Sequence, residues 1–264
     1  MAVGLPLPDK ISSALKKNNL VYNISVNIYL KYIKTLVKLK TWFKYNRNNY
    51  APIKPFKLIW VSPINIESRS KKTRDIVDNF FFPEIIEGNW DKEKESMKEK
   101  TLFNSFKMRF TENKPWEETP SYKKRIKKIE KGESSSWYGT KEELLQVLEE
   151  TDKLYNNISE NGYKTQKEIK FGKEDTKKFN NYIDNDLGIF NEIIVNIGRD
   201  GEILFEEGYH RFYISKILEL DEIPVRVLVR HKKWQEKRNM AVLNPEKLSD
   251  EEKQHPDIEY LLEN

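Results

Sequence analysis

The stretch from residue 191 to residue 235 constrains the fold more than any other part of this sequence. An apolar run at Ile193–Ile197 is followed by the turn sequence Arg199-Asp200-Gly201-Glu202 and a second apolar run, Ile203–Phe205, a pattern typical of a β-hairpin. Apolar residues then recur at helical spacing after Gly208, and residues 221–229 form another apolar run. The region therefore predicts strand, turn, strand, helix and strand in that order.

The sequence Glu207-Gly208-Tyr209-His210-Arg211 lies between the second strand and the helix. The first amides of a helix have no partner inside it and the helix dipole is positive there, so phosphate binds well at such a place. Glycine permits close approach of the backbone. Arg211 can form a bidentate contact with phosphate oxygens, and His210 can donate a hydrogen bond or shuttle a proton near neutral pH. The short motif alone is more typical of an ordinary turn, and its setting favours the phosphate site.

With this motif in place, the stretch from Asn191 to Trp234 resembles the C-terminal half of the ParB/sulfiredoxin superfamily domain, whose Gly-x-His-Arg or Gly-x-Arg-Arg turn binds nucleotide phosphates. Leu58 to Pro63 resembles the family's first strand and proline-containing loop, and Leu144 to Gly162 resembles its helix with a glycine end. The resemblance covers less than half of the chain. It implies an α+β fold with a small mixed sheet and flanking helices, and it implies ATP or another nucleoside phosphate, with Mg²⁺, as cofactors held by Gly208, Tyr209, His210 and Arg211.

Departures from the family separate its branches. Tyr209 stands where sulfiredoxin needs a cysteine, which excludes sulfinic acid reduction. Chromosome-partitioning ParB proteins have arginine at the position of His210 and a following helix-turn-helix domain, for which we expect no room after Trp234. Small free-serine kinases share the Gly-x-His-Arg turn. The whole chain also resembles uncharacterised ParB-like proteins with the same Gly-x-Trp-Asp, Pro-Trp-Glu-Glu-Thr and Gly-Tyr-Lys-Thr-Gln elements, from which no activity follows.

The kinase branch implies two carboxylate roles. Phosphoryl transfer needs bound magnesium and a group that orients the acceptor hydroxyl. Glu207 is suited to hold magnesium or assist the base, and Glu67 follows the first strand, where the kinases place a catalytic glutamate; an exposed Glu67 without a role is the alternative. We expect a nucleotide-dependent phosphotransferase acting on a hydroxyl of a small molecule or glycan. The rivals are a ParB-like nucleotide-binding protein that works on DNA as a clamp, regulator or nuclease, and a nucleotide sensor without turnover.

Residues 64–139 alternate charged stretches with aromatic islands. So many large rings are usually kept to be buried, which predicts a folded insertion placed to act as a substrate lid. Trp90, Asp91 and Trp116 combine large rings with carboxylates, a combination that suits stacking on a sugar and recognition of its hydroxyls. Buried tryptophans beside solvated neighbours are the alternative.

The remaining divisions follow from composition and pattern. The nucleotide-binding core is predicted in residues 51–63 and 140–235, with Thr140 and Glu143 as a capping box that starts a helix. Residues 236–264 are predicted to form a polar tail.

Residues 1–50 are predicted to form a basic, amphipathic helical arm. Apolar residues recur at helical spacing between Leu20 and Phe43, and Asp9 is the only acidic residue among the first 60. Its lysines argue against a membrane span, because each charge at bilayer depth costs roughly 2.5 to 3.5 kcal/mol. Three partners stay open for residues 20–50: an anionic membrane surface, nucleic acid, or the protein's own core.

Cysteine is absent from the sequence, which excludes disulfides, thiolate zinc sites and a cysteine nucleophile. The first residues lack the pattern of a secretory signal. We therefore expect a cytoplasmic protein, peripheral at a membrane if the arm binds lipid.

Overall fold

A computed structural model describes residues 19–77, 79–133, 135, 138–171 and 191–263 of the chain. The polar composition of residues 164–190 predicts a loop with room for a short helix; Gln166–Phe171 are helical, and residues 172–190 lie outside the described residues. The same holds for residues 1–18 of the arm and for Trp137.

The strands are β1 (Leu58–Val61), β2 (Ser68–Ser70), β3 (Glu84–Ile86), β4 (Lys94–Ser96), β5 (Ile193–Ile197), β6 (Ile203–Glu207) and β7 (Ile223–His231). The helices are α1 (Asn19–Thr41), α2 (Thr73–Ile76), α3 (Thr101–Phe110), α4 (Pro120–Glu130), α5 (Lys141–Asn161), α6 (Gln166–Phe171), α7 (Tyr209–Ile217), α8 (Lys232–Leu243), α9 (Asp250–Gln254) and α10 (Pro256–Leu262). A π-helical segment, Trp42–Asn46, extends α1.

The main sheet is small and mixed, with strand order β1-β7-β5-β6. The long strand β7 pairs antiparallel with β1 and parallel with both β5 and β3, while β5 and β6 form an antiparallel hairpin. Every residue of β7 is buried, as a central strand covered on both faces requires. The sequence prediction of a small mixed sheet with flanking helices is confirmed at this level.

Helix α5 begins and ends as its sequence predicts. The Thr140 hydroxyl accepts a hydrogen bond from the Glu143 amide, and the Glu143 carboxylate accepts one from the Thr140 amide. Gly162 ends the helix with φ 71°. Leu144 and Ile158 are buried in the main hydrophobic cluster, so α5 covers the sheet.

Residues 64–139 are joined to the core at several points. Strand β3 extends the main sheet beside β7. Phe106 and Trp116 belong to the same hydrophobic cluster as Val195 of β5, and Trp90 packs on the opposite side with Leu204. The aromatic islands thus order this segment by burial, as expected from their size.

Residues 236–264 differ from the predicted polar tail. Helix α8 continues to Leu243 and is followed by α9 and α10, and Ile258 and Tyr260 join the main hydrophobic cluster. Two charged residues of this segment, Arg238 and Asp257, are buried as a pair inside the fold, with Nε and Oδ2 3.2 Å apart. Composition alone cannot distinguish such internal pairs from a solvated tail.

Helix α1 matches the predicted arm in position. Its Ile33 and Val37 are buried, and Tyr45 of the π-helical segment is buried below them. Among the described helices, none has the length and apolar character needed to cross a bilayer.

Candidate functional site

The turn between β6 and α7 has the geometry of an anion site. Gly208 stands between them with φ 98°, and no side chain caps the helix. The Phe212 amide donates to the Gly208 carbonyl 3.0 Å away, so the amides of residues 209–211 precede the first bond of the helix. A Cβ at residue 208 would lie 3.1 Å from the Cα of Ile193. Glycine is therefore required both by the backbone angle and by the close approach of β5.

Two arginines that the sequence did not single out lie beside this turn. Arg74 donates from Nη2 to Glu207 Oε2 at 2.8 Å. Arg69 donates from Nη1 to the hydroxyl of Tyr209. Both belong to the segment after β1, more than 130 residues away in the chain, so no local pattern in the sequence could place them here.

Glu206 is the buried centre of this arrangement, with a fully buried side chain. Asn196 donates to its Oε2 at 2.9 Å, while Arg69 and Arg74 each approach Oε1 at 3.4 Å. Burial raises the pKa of Glu206, and the two guanidinium groups oppose that rise. We call Arg69, Arg74, Glu206, Glu207 and Tyr209 the turn cluster.

The turn cluster retains unused donors. The buried Nε of Arg69 has no hydrogen-bond partner, although Glu95 lies 3.5 Å away. Arg74 keeps 43% of its side chain exposed. Guanidinium groups in this condition are suited to take up phosphate oxygens, because charge-assisted bonds to an anion satisfy donors that are poorly matched within the protein.

His210 faces away from the turn cluster. Its ring lies 5.4 Å from the ring of Phe106 between centroids, and the residue is half-buried. Burial and the positive charge of Arg125 lower the pKa of His210 to about 4. The imidazole is therefore neutral at pH 7, which does not fit the prediction that it shuttles a proton near neutral pH. A hydrogen-bonding role for the neutral ring is compatible with this environment.

Arg211 already has a carboxylate partner. Its Nη1 lies 3.4 Å from Oε2 of Glu192, whose side chain is 1% exposed, and its guanidinium stands over the ring of Tyr163. The other Glu192 oxygen accepts a hydrogen bond from the Gln166 amide at 2.7 Å. Arg211 would thus divide its donors between Glu192 and a phosphate group.

Among the described residues, Glu67 forms its ion pair with a lysine that does not belong to the turn cluster. Glu67 is exposed and accepts a hydrogen bond from Lys98 Nζ at 2.9 Å. That bond lowers the pKa of Glu67, so the carboxylate is ionised at neutral pH. Although Arg69 is only two residues further along the chain, the contacts of Glu67 do not join it to Glu207.

Trp90, Asp91 and Trp116, predicted as substrate contacts, lie within the protein. The two indoles are 3% and 7% exposed, and Trp116 donates from Nε1 to Asp152 at 3.0 Å. Asp91 is bonded to Arg199, with Nη2 and Oδ1 at 2.7 Å. Burial opposes ionisation of Asp91, but the hydrogen bonds from Arg199 outweigh it and lower the pKa to about 2. These residues hold the fold together, and the alternative of buried tryptophans describes them.

A buried lysine fixes α7 relative to β1. Lys216 donates from Nζ to the carbonyl oxygens of Pro63 and Ile66, both at 2.7 Å. Burial lowers the pKa of Lys216 to about 8. The proline-containing loop after β1 is thereby tied to the helix that begins at Gly208. This contact, which the sequence did not reveal, sets where the segment carrying Arg69 starts.

Within the described part of the chain, no group of three or more histidine, aspartate or glutamate side chains is arranged to hold a metal ion. Glu207 is a single carboxylate with 35% of its side chain exposed. Magnesium in nucleotide enzymes commonly uses one or two carboxylates together with the phosphates of the substrate. The donor set at the turn therefore fits an ion brought by a nucleotide better than an ion bound by the protein alone.

Comparison of the chain with models of protein families, with curated proteins and with solved structures gives no match. The geometry of the turn and the sequence resemblance are therefore the observations that bear on function.

Proposed function

We propose that the turn at residues 207–211 binds the phosphates of a nucleotide in a ParB/sulfiredoxin-like domain. The observation that carries the proposal is the uncapped start of α7 behind Gly208, with the guanidinium groups of Arg69 and Arg74 beside it. Amides at a helix start and nearby arginines are the usual means of holding phosphate. The hairpin β5–β6, helix α7 and the parallel strand β7 support the family assignment, because the resemblance implies that order.

The chemistry that this site supports best is phosphoryl transfer from the nucleotide to a hydroxyl of a small molecule or glycan. When bound, Mg²⁺ would offset charge on the transferred phosphoryl group. Glu207 is the residue placed to contact that ion, and binding would draw it from Arg74, which is then freed for phosphate. Glu67 is the weaker candidate for orienting the hydroxyl, since a movement of its segment would have to bring it from Lys98 to the turn.

A second candidate is a nucleotide-binding protein that works on DNA, and helix α4 is the observation that favours it. Lys123, Lys124, Lys127, Lys128 and Lys131 are all exposed on this helix and the residue after it. Among the described residues, only Lys128 of this set has an ion-pair partner, Glu133 at 3.7 Å. Like charges four residues apart repel within a helix, and a phosphate backbone would relieve that repulsion. We call these five residues the lysine face.

The proposal is tested by equilibrium titration of the protein with ATP, ADP, CTP and GTP in the presence of magnesium. We expect at least one of them to bind. Nucleotide consumption is then measured with metabolite extracts, where Glu207→Gln and Glu67→Gln should slow turnover by about 10² to 10⁴ with affinity much less affected.

The two candidates differ in their dependence on DNA. Phosphorylation of an acceptor without DNA supports the kinase. The DNA-linked function would replace the kinase if duplex DNA stimulates nucleotide hydrolysis and if Lys123→Gln with Lys127→Gln abolishes that stimulation. Absence of binding to every nucleotide would contradict both.

A further inference from the structure

Helix α1 and its π-helical extension expose a row of large apolar side chains. The row consists of Ile28, Tyr32, Leu36, Leu39, Trp42 and Phe43, and we call it the outer stripe. Their exposed fractions run from 38% to 64%. Five of the six recur every three or four residues, which places them along one side of the helix. Contiguous apolar surface of this kind usually marks a contact with a partner or a membrane.

The outer stripe is not needed to attach the helix to the protein. Ile33, Val37 and Tyr45 are buried on the other side of α1. The Tyr45 hydroxyl also donates to Glu84 of β3, and the ammonium group of Lys40 stands 4.3 Å above the centre of the Phe82 ring. The helix is therefore anchored through its inner side, and the outer stripe faces solvent.

The charged residues that α1 and its π-helical extension themselves contribute are all positive. No acidic residue occurs between Asp9 and Glu67. Lys31 and Lys38 are exposed and form no ion pair with the described residues. A second copy of this helix would bring lysine against lysine, whereas an anionic surface complements them. Tyr and Trp rings beside lysines are the combination found where helices lie at the headgroup level of a bilayer.

We propose that α1 docks the protein onto the surface of an anionic lipid bilayer, with the outer stripe among the acyl chains and Lys31 and Lys38 against the headgroups. A nucleic acid would use the lysines but leave the aliphatic side chains in water. None of the described residues of α4 exposes a large apolar side chain. The lysine face of that helix is therefore better suited to a nucleic acid. Docking through α1 is independent of the nucleotide proposal.

The test is co-sedimentation of the full chain with vesicles of phosphatidylcholine, with and without phosphatidylglycerol. We expect binding to the anionic vesicles, weaker binding to the neutral ones, and loss of binding as salt is raised. Leu39→Ser with Phe43→Ser should weaken partitioning at least about tenfold, because two large apolar side chains leave the lipid. Both positions are exposed, so thermal unfolding of this variant should match the wild type.

Charge-matched variants complete the design. Lys31→Gln with Lys38→Gln should weaken binding to anionic vesicles only, while Lys123→Gln with Lys127→Gln removes the same charge from α4 and should change nothing. Equal binding of wild type and stripe variant to the anionic vesicles would overturn the proposal. A dimer in solution that dissociates in the stripe variant would also overturn it, because a second copy would then cover the stripe. A loss of vesicle binding found only in the α4 variant would overturn it as well.

Discussion

Two arginine–carboxylate clusters in this molecule differ in how completely their hydrogen bonds are satisfied. Near the C-terminus, Arg230 forms a bidentate pair with Asp257 at 2.8 and 2.6 Å. Trp234 donates to the same carboxylate at 3.0 Å, and Arg238 lies 3.2 Å away. In the turn cluster, Glu206 has its two arginines at 3.4 Å, and one of them, Arg74, is 43% exposed.

The difference separates a structural cluster from one that is able to bind. Asp257 has its oxygens occupied in the interior, so burial, which would raise its pKa, is outweighed by Arg230 and Arg238 and the pKa falls to about 2. A buried carboxylate whose oxygens are all occupied by partners within the protein has a structural role. In the turn cluster Arg74 keeps 43% of its side chain exposed, beside amides that precede the first bond of α7, and this is what an incoming phosphate needs.

The largest effect is expected in the C-terminal cluster. Asp257→Asn leaves two buried guanidinium groups without their counter-charge, so chemical denaturation should show a loss of about 3 to 5 kcal/mol in the free energy of unfolding. Glu206→Gln is the matched change in the turn cluster, because Glu206 is equally buried; it should cost less than Asp257→Asn, since its two arginines lie at 3.4 Å and one of them is 43% exposed. Similar losses in both variants would remove the distinction between the clusters.

The next effect concerns pH. Because the folded-state pKa of His210 is lowered from 6.5 to about 4, the unfolded chain binds the proton first as the pH falls. Stability is thus fully present above about pH 6.5 and decreases towards pH 4, by at most about 3 kcal/mol, reduced by the partial exposure of the ring. The slope should be smaller in His210→Gln than in the wild type, measured by denaturation at a series of pH values, with His255, whose pKa burial also lowers, among the groups that still contribute. An NMR titration of His210 near its ordinary pKa would contradict the assignment of a neutral ring.

A smaller effect sharpens the role of the glycine. Gly208→Ala places a side chain at φ 98° and within 3.1 Å of the backbone of Ile193. The angle alone costs about 1 to 2 kcal/mol, and the contact should widen the turn and weaken nucleotide binding. Gly132→Ala is the control, since Gly132 has φ 72° but nothing within 4 Å of the added Cβ. Equal melting temperatures for the two variants would show that β5 does not constrain the turn.

The parts of the fold that the sequence predicted are those with local signals. The hairpin, the turn at Gly208 and helix α7 follow from apolar runs and one glycine, and the start of α5 follows from its capping box. Such patterns depend on residues within a few positions of one another. They can therefore be recognised without knowledge of tertiary contacts.

The contacts that complete the site have no local signal. Arg69 reaches Tyr209 across 140 positions of the chain, and Lys216 reaches Pro63 across 153. The outer stripe also has no separate signal, because two apolar rows on opposite sides of α1 are interleaved in the sequence and the spacing alone does not show which row is buried. Trp90 and Trp116 show the converse, where a suggestive composition belongs to the core.

Titration of nucleotide against Arg74→Ala tests the central claim most directly. Arg109→Ala is the control, because Arg109 forms a similarly exposed pair with Asp152 at 2.7 Å away from the turn cluster. Arg109→Ala should unfold within about 1 kcal/mol of the wild type, and Arg74→Ala should lose more, because it also removes a partner of the buried Glu206; folding of both is checked by denaturation. We predict that Arg74→Ala weakens nucleotide binding by about 1.5 to 3 kcal/mol, roughly 10- to 150-fold, and that Arg109→Ala leaves it unchanged. Unchanged affinity in a folded Arg74→Ala, or an equal loss in both, would contradict the account.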